Sequence, residues 1–272
     1  MLNEMKEIRG VISMEAAVPD TAQQAAARLP SMLDTASEYL NKALTQFLGN
    51  FAGIKSLGWM SLNAQRRPYS ELRGLQVTAP DGFEGTFVEY GQFLVKTVEA
   101  MEDLSQDVLE PFASWIAQRI EDPESLKALT NSLRIPGLRT PKVEELQKRL
   151  DQFFPLNAPR SYVYGDLFKR QGDWTDINNN IKKLNTLYAN GKYEKVQKAM
   201  PELSHLLTVL AARIAEQKDV ASFQVSSITT EQLSKVTFEI AQHVEFYGIL
   251  RHRVDEYIRT ISDNVDLVKE KI

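Results

Sequence analysis

The last stretch of this chain constrains its fold more than any other. From Thr229 or Thr230, either of which can cap a helix, towards Ile272 a three-four alternation runs through Leu233, Val236, Ile240, His243, Tyr247, Leu250, Val254, Tyr257, Ile261, Asn264 and Val268. Side chains at that spacing fall on one stripe of an α-helix. The spacing predicts a helix of about 40 residues, roughly 60 Å long at 1.5 Å per residue. Such a seam serves either a coiled coil between subunits or the spine of an intramolecular bundle. Val244, Ile258 and Val265 flank it and widen the stripe, which favours the spine, and Gly248 weakens the case for a regular rod.

The rest of the chain offers partners for that helix. Residues 20–51 carry a helical pattern interrupted at Pro30, with Met32, Leu33, Ala36, Tyr39, Leu40, Ala43, Leu44, Phe47 and Phe51 spaced three and four apart. Gly53 and Gly58 break it, and a long loop at about 53–85 follows, with a short strand near Leu75 to Val77. The helical period returns from Thr86 through Phe87, Tyr90, Leu94, Val98 and Met101. It resumes after a break at Leu109, Phe112, Trp115, Ile116 and Ile120, with Pro111 tolerable in a first turn. Asp122 and Pro123 are a start signal for another helix to about Ser132. The stretch from Arg134 to Pro141 reads as a connector, and a short helix with Val143, Leu146, Leu150 and Phe153 precedes a break at Pro155 to Pro159. Beyond it come a helix with Ile177, Ile181, Leu184 and Tyr188, closed by Asn190-Gly191, and a helical region from Tyr193 to Gln217 broken at Pro201.

The chain is therefore expected to be all-α, a multi-helix bundle of two helical halves. Residues 1–17 form a leader or a first short helix with Leu2, Met5, Ile8, Val11 and Ile12 on its apolar side. Residues 18–154 form the N-terminal half, and 160–272 the C-terminal half, ending in the long helix at about 229–270.

Composition excludes several kinds of chemistry. The 272 residues include no cysteine, so there is no disulfide, thiolate metal site or cysteine nucleophile. The formal charge of -4 is spread over both signs without long blocks, which argues against a nucleic-acid-coating surface. No apolar run approaches the roughly 20 residues that cross a bilayer. The charged start, with Glu4, Lys6, Glu7 and Arg9, is unlike a secretory signal, so synthesis in the cytoplasm without a cleaved secretory signal is expected.

Catalytic and cofactor patterns are not found. His205, His243 and His252 form no close metal pair. His243 and His252 are nine residues apart on one helix, pointing about 180° from each other. His252 with Asp255 and Glu256 reads as a solvated charged face. The acids of the run Glu99 to Asp103 have ordinary helix-surface spacing, and no Gly-rich phosphate loop or nucleophile elbow is present. Neither a metal nor a cofactor is implied.

Two patches are candidates for binding. Arg66, Arg67 and Arg73 beside Tyr69 can hold phosphate or stack on a base, although Glu71 lies among them and a plain surface loop explains them too. Tyr162, Tyr164, Phe168 and Trp174 can dock a partner if exposed, or join the core if not.

The remaining lead is the N-terminal sequence MLNEMKEIRGVISMEAAVPD. Its Ser13-Met14-Glu15, followed by two alanines, resembles the head-maturation cleavage site of tailed bacteriophages. In the giant phages that build a nucleus-like compartment, the prohead protease cuts after a small residue, any residue, then glutamate. The resemblance implies a scissile bond between Glu15 and Ala16. The T-even pattern wants Leu or Ile where this chain has Ser13, and Ile12 stands one place too early for it. By that resemblance the chain is expected to be a non-catalytic structural or internal protein of a phage-like particle, made in a bacterial host. It would contact copies of itself or other phage proteins through helical faces. The alternatives are a helical adaptor or regulatory module that binds another protein, and a nucleic-acid-associated protein using the Arg66 to Arg73 region.

Overall fold

A computed structural model describes residues 68–101, 109–121, 143–157, 161–189, 192–216 and 227–270, with positions 31, 33–35, 37, 38 and 41. Of the described residues 79% are helical, so the predominantly helical fold holds. The elements are α1 (Tyr69–Leu72), β1 (Gln76–Val77), α2 (Phe87–Met101), α3 (Glu110–Glu121), α4 (Val143–Asp151), β2 (Tyr162–Val163), α5 (Tyr164–Leu167), α6 (Asp173–Ala189), α7 (Lys192–Glu216) and α8 (Ser227–Glu270). The start signal at Asp122-Pro123, the connector from Arg134 to Pro141, Asn190-Gly191 and most of the 20–51 stripe lie outside the described residues.

Local punctuation misplaces some boundaries. Within the expected loop, Pro68 sits in an extended conformation and the short α1 follows it, anchored by the buried Leu72. Pro201 does not break the chain into two helices but lies inside α7. An interior proline costs about 3 kcal/mol. Met200, Leu203, Leu207 and Leu210 are all fully buried, and at roughly 1.5–3 kcal/mol each they outweigh it. The last helix begins at Ser227, so Thr229 and Thr230 lie within its first turn. The run Ser226 to Thr230 offers several hydroxyl caps, and the pattern does not choose among them.

The chain divides into two compact units that interleave along the sequence. One comprises Met1–Gln46, Leu104–Arg139 and Glu194–Glu245, and the other Phe47–Asp103, Thr140–Tyr193 and Phe246–Ile272. They are not the consecutive halves 18–154 and 160–272, because α7 and α8 each contribute residues to both units and no proline break marks the change.

In the first unit Leu109, just before α3, and Phe112 and Ile116 of α3 are buried, with Pro111 in the first turn, and Phe112 stacks on Trp115 at 6.2 Å. A hydroxyl cluster links position 37 to α7. Ser37 Oγ lies 2.7 Å from Ser204 Oγ and 2.9 Å from Thr208 Oγ1 and donates to the Ser204 carbonyl at 3.0 Å. Small side chains let the backbones approach closely enough for such bonds.

The second unit is built around aromatic rings. Thr86 starts α2 with a reciprocal cap: the Glu89 N–H donates to Thr86 Oγ1 at 3.2 Å, and that hydroxyl donates to Glu89 Oε2 at 2.8 Å. Helix α2 packs along α6. Phe83, Phe87 and Tyr90 meet Phe153 and Phe154 from the turn after α4 and Tyr257 from α8, with ring centroids 5.0–6.3 Å apart. Gly82 and Gly85, at φ 73° and 127°, make the turn that delivers Phe83 to this cluster.

Burial holds the hydroxyls of Tyr90 and Tyr257 protonated, far above the ordinary tyrosine range. Tyr257 donates to the Phe87 carbonyl at 3.1 Å, whereas the Tyr90 hydroxyl has no partner among the described residues. Thermal denaturation should separate the two. Tyr90→Phe is expected to be neutral or stabilising by about 1 kcal/mol, and Tyr257→Phe to cost about 1 kcal/mol. An equal loss for Tyr90→Phe would mean that its hydroxyl is bonded after all.

Candidate functional site

The second unit carries both of the clefts described here, on either side of Tyr162. The larger, about 710 Å³, runs beside β1 between Val77, Pro80 and Asp81 and the turn at Pro155 and Leu156. The smaller, about 330 Å³, is lined by Phe83, Glu84, Thr86, Asp166 and Lys169. Tyr162 is buried between them, and its hydroxyl donates to the Phe83 carbonyl at 2.6 Å. Burial, with the Asp81 and Glu84 charges adding to it, pushes that hydroxyl above the ordinary tyrosine range. The clefts therefore present an uncharged aromatic wall with carboxylates at Asp81, Glu84 and Asp166 and one ammonium at Lys169. Among the described residues no group of three His, Asp or Glu side chains is placed to hold a metal.

From Ile240 to Val268, the described side chains of α8 are buried on more than one stripe. Ile240, His243, Tyr247, Leu250, Val254, Tyr257, Ile261, Asn264 and Val268 of the seam are all buried, and so are Val244, Phe246, Ile258 and Val265. Over this stretch the burial is wider than the seam of a two-helix coiled coil and fits the spine of a bundle. His243 is buried and His252 exposed, as their opposed directions require.

Asp255 departs from the expected charged surface. It is buried, and its Oδ1 lies 3.0 Å from Arg251 Nη1, with the two side chains 7% and 1% exposed. The Arg251 guanidinium also sits 4.6 Å over the Tyr188 ring of α6. Burial raises the Asp255 carboxyl above its ordinary range, against the opposing pull of Arg251, Arg259 and His252. A carboxylate can stay this deep because a cation one helical turn away faces the same side.

The aromatic patch is core, not surface. Tyr162, Tyr164, Phe168 and Trp174 are 7%, 1%, 0% and 1% exposed. Tyr164 stacks on Phe168 at 4.2 Å, and the Trp174 indole N–H donates to the Tyr164 hydroxyl at 2.6 Å. Burial pushes that hydroxyl up to about 12. Tyr164, Phe168 and Trp174 are closed to a partner because their rings pack on one another inside the unit, and Tyr162 reaches only the walls of the two clefts.

Arg73 is exposed, but its backbone is held by the Gly165 N–H, which donates to the Arg73 carbonyl at 3.0 Å. Tyr69, the ring that would stack on a base, packs at 5.9 Å against Tyr164 and donates to the Phe168 carbonyl at 3.1 Å. Arg66, Arg67, Glu15 and Ala16 lie outside the described residues. No described helix is long and apolar enough to cross a membrane. Comparison with protein-family models, curated proteins and solved structures finds no match to this chain.

Proposed function

We propose that this chain is a non-catalytic structural or internal protein of a phage-like particle, acting through protein–protein contacts and processed between Glu15 and Ala16. The observation that carries this reading is Ser13-Met14-Glu15 followed by Ala16-Ala17. Small residues beyond Glu15, at the very start of the chain, suit a removable leader.

Intact-mass measurement of the protein recovered from purified particles tests the reading directly. A chain beginning at Ala16 is the expected result. Absence from particles, or recovery only of the chain that begins at Met1, overturns the processed-particle reading and leaves the adaptor in its place.

A further inference from the structure

Side chains occupy the outward-facing backbone on both sides of the small sheet. In antiparallel pairing, alternate residues of a strand direct both backbone groups toward the neighbouring strand, and those between direct them away. Here Gln76 lies opposite Val163 and Val77 opposite Tyr162, and the Tyr164 N–H donates to the Leu75 carbonyl at 2.8 Å. Leu75 and Val77 therefore turn toward β2, while Gln76, Thr78 and Val163 face outward. Outward-facing strand groups are the template on which a further strand pairs.

At Thr78 that template is filled by one side chain. Asn264 Oδ1 accepts the Thr78 N–H at 2.8 Å, and Asn264 Nδ2 donates to the Thr78 carbonyl at 2.8 Å. A carboxamide has the donor and acceptor of a peptide group, so the pair reproduces what one residue of a neighbouring strand would make. The Thr78 hydroxyl also donates to Asn264 Oδ1 at 3.2 Å. On the other side, Asp166 Oδ2 accepts the Val163 N–H at 3.0 Å. Asn264 is 0% exposed, so its amide is withdrawn from water and spent on this edge, whereas Gln76 beside it is exposed.

We propose that Asn264 is an edge lock: a surrogate strand carried by α8 that holds the outer edge of β1 and prevents β1 of a second copy from pairing there. A second copy is the natural intruder because two identical edges are self-complementary across a two-fold axis. The lock opens only if α8 draws its amide away from Thr78. The inference does not depend on the chain's belonging to a particle.

The test uses the full chain with Asn264→Ala, and Leu150→Ala, a buried residue of α4, as a control that destabilises the same unit without a substitution in β1 or α8. Two quantities are read: hydrogen exchange at the Thr78 amide, and mass distribution by sedimentation over about a 100-fold concentration range. In Asn264→Ala, Thr78 exchange is expected to quicken at least about 10-fold beyond the control, and a dimer population to appear in excess of wild type. Adding Gln76→Pro, which removes an outward N–H without touching the β1–β2 bonds, should abolish that excess. Unchanged Thr78 exchange, an equal dimer gain in Leu150→Ala, no gain at all, or a gain that survives Gln76→Pro each overturns the proposal. Should Asn264→Ala fail to fold, Asn264→Ser gives the same readouts, since its hydroxyl is too short to bridge both backbone groups.

Discussion

Replacing Arg251 with methionine is expected to cost about 3–5 kcal/mol at neutral pH, the range for breaking a buried ion pair by removing one partner. The size follows from where the charges sit: both side chains are at most 7% exposed and lie 3.0 Å apart. Methionine keeps contact with the Tyr188 ring but leaves the Asp255 carboxylate without its nearest cation. The loss should depend on pH in a stated direction. Burial already raises the Asp255 carboxyl, and Arg251 is the largest influence pulling it back down. Without Arg251 the folded-state value rises further above the unfolded one, so folding favours proton uptake. The penalty is then full above the raised folded value and shrinks as pH falls through it. Arg251→Met with Asp255→Leu should recover most of the loss at neutral pH, because two apolar groups replace a pair whose desolvation offsets much of its attraction. Urea denaturation of the three variants from neutral to mildly acidic pH reads all of this. A single-variant loss under about 1 kcal/mol, or one that does not shrink in acid, would show the pair to be solvated.

That pair is legible in the sequence, although beside His252 and Glu256 the Asp255 carboxylate has the look of a solvated face. An acid four residues after a basic residue on a helix ordinarily marks a wet face. Arg251, however, fills the empty place in the flanking row Val244, Ile258, Val265, which advances by seven residues at each step. A charge inside an apolar row is a buried charge with a partner. Asn264 and His243 stood in the seam itself and are buried there. By contrast, the partner of Asn264 is Thr78, 186 residues away, and no local pattern encodes a contact at that distance. The same holds for the interleaved units. Helix periods show which face of α7 or α8 is apolar, but not where along its length the neighbours change. The aromatic run from Tyr162 to Trp174 was ambiguous for a different reason. Ring content is the same in a core and in a docking surface, and only the bonds to the polar tips separate them.

Gly91 shows how a residue unremarkable in the sequence becomes a point of close helix approach in the core. In an exposed helix interior, glycine to alanine is stabilising by roughly 0.5–1 kcal/mol. In α2 the sign should reverse. A methyl group at Gly91 would run into the Tyr257 hydroxyl, with Asn180 Nδ2 at 2.8 Å and Tyr257 Cζ at 3.0 Å. None of these can move freely: Tyr257 is 0% exposed and bonded to the Phe87 carbonyl, and Asn180 Nδ2 donates to the Val88 carbonyl at 3.3 Å. Overpacking a fixed site costs typically 1–3 kcal/mol, so Gly91→Ala is expected to lose about 1–2 kcal/mol after the helix gain is set against it. A double-mutant cycle separates the two effects. Tyr257→Phe removes the atom nearest the new methyl, so the double variant should be more stable than the sum of the single losses predicts. It should still fall short of wild type, because Cζ remains close and the bond to Phe87 is gone. Additive losses would mean that the helices separate to admit the methyl group, and that the close approach of α2 to Tyr257 is not held by the packing around it.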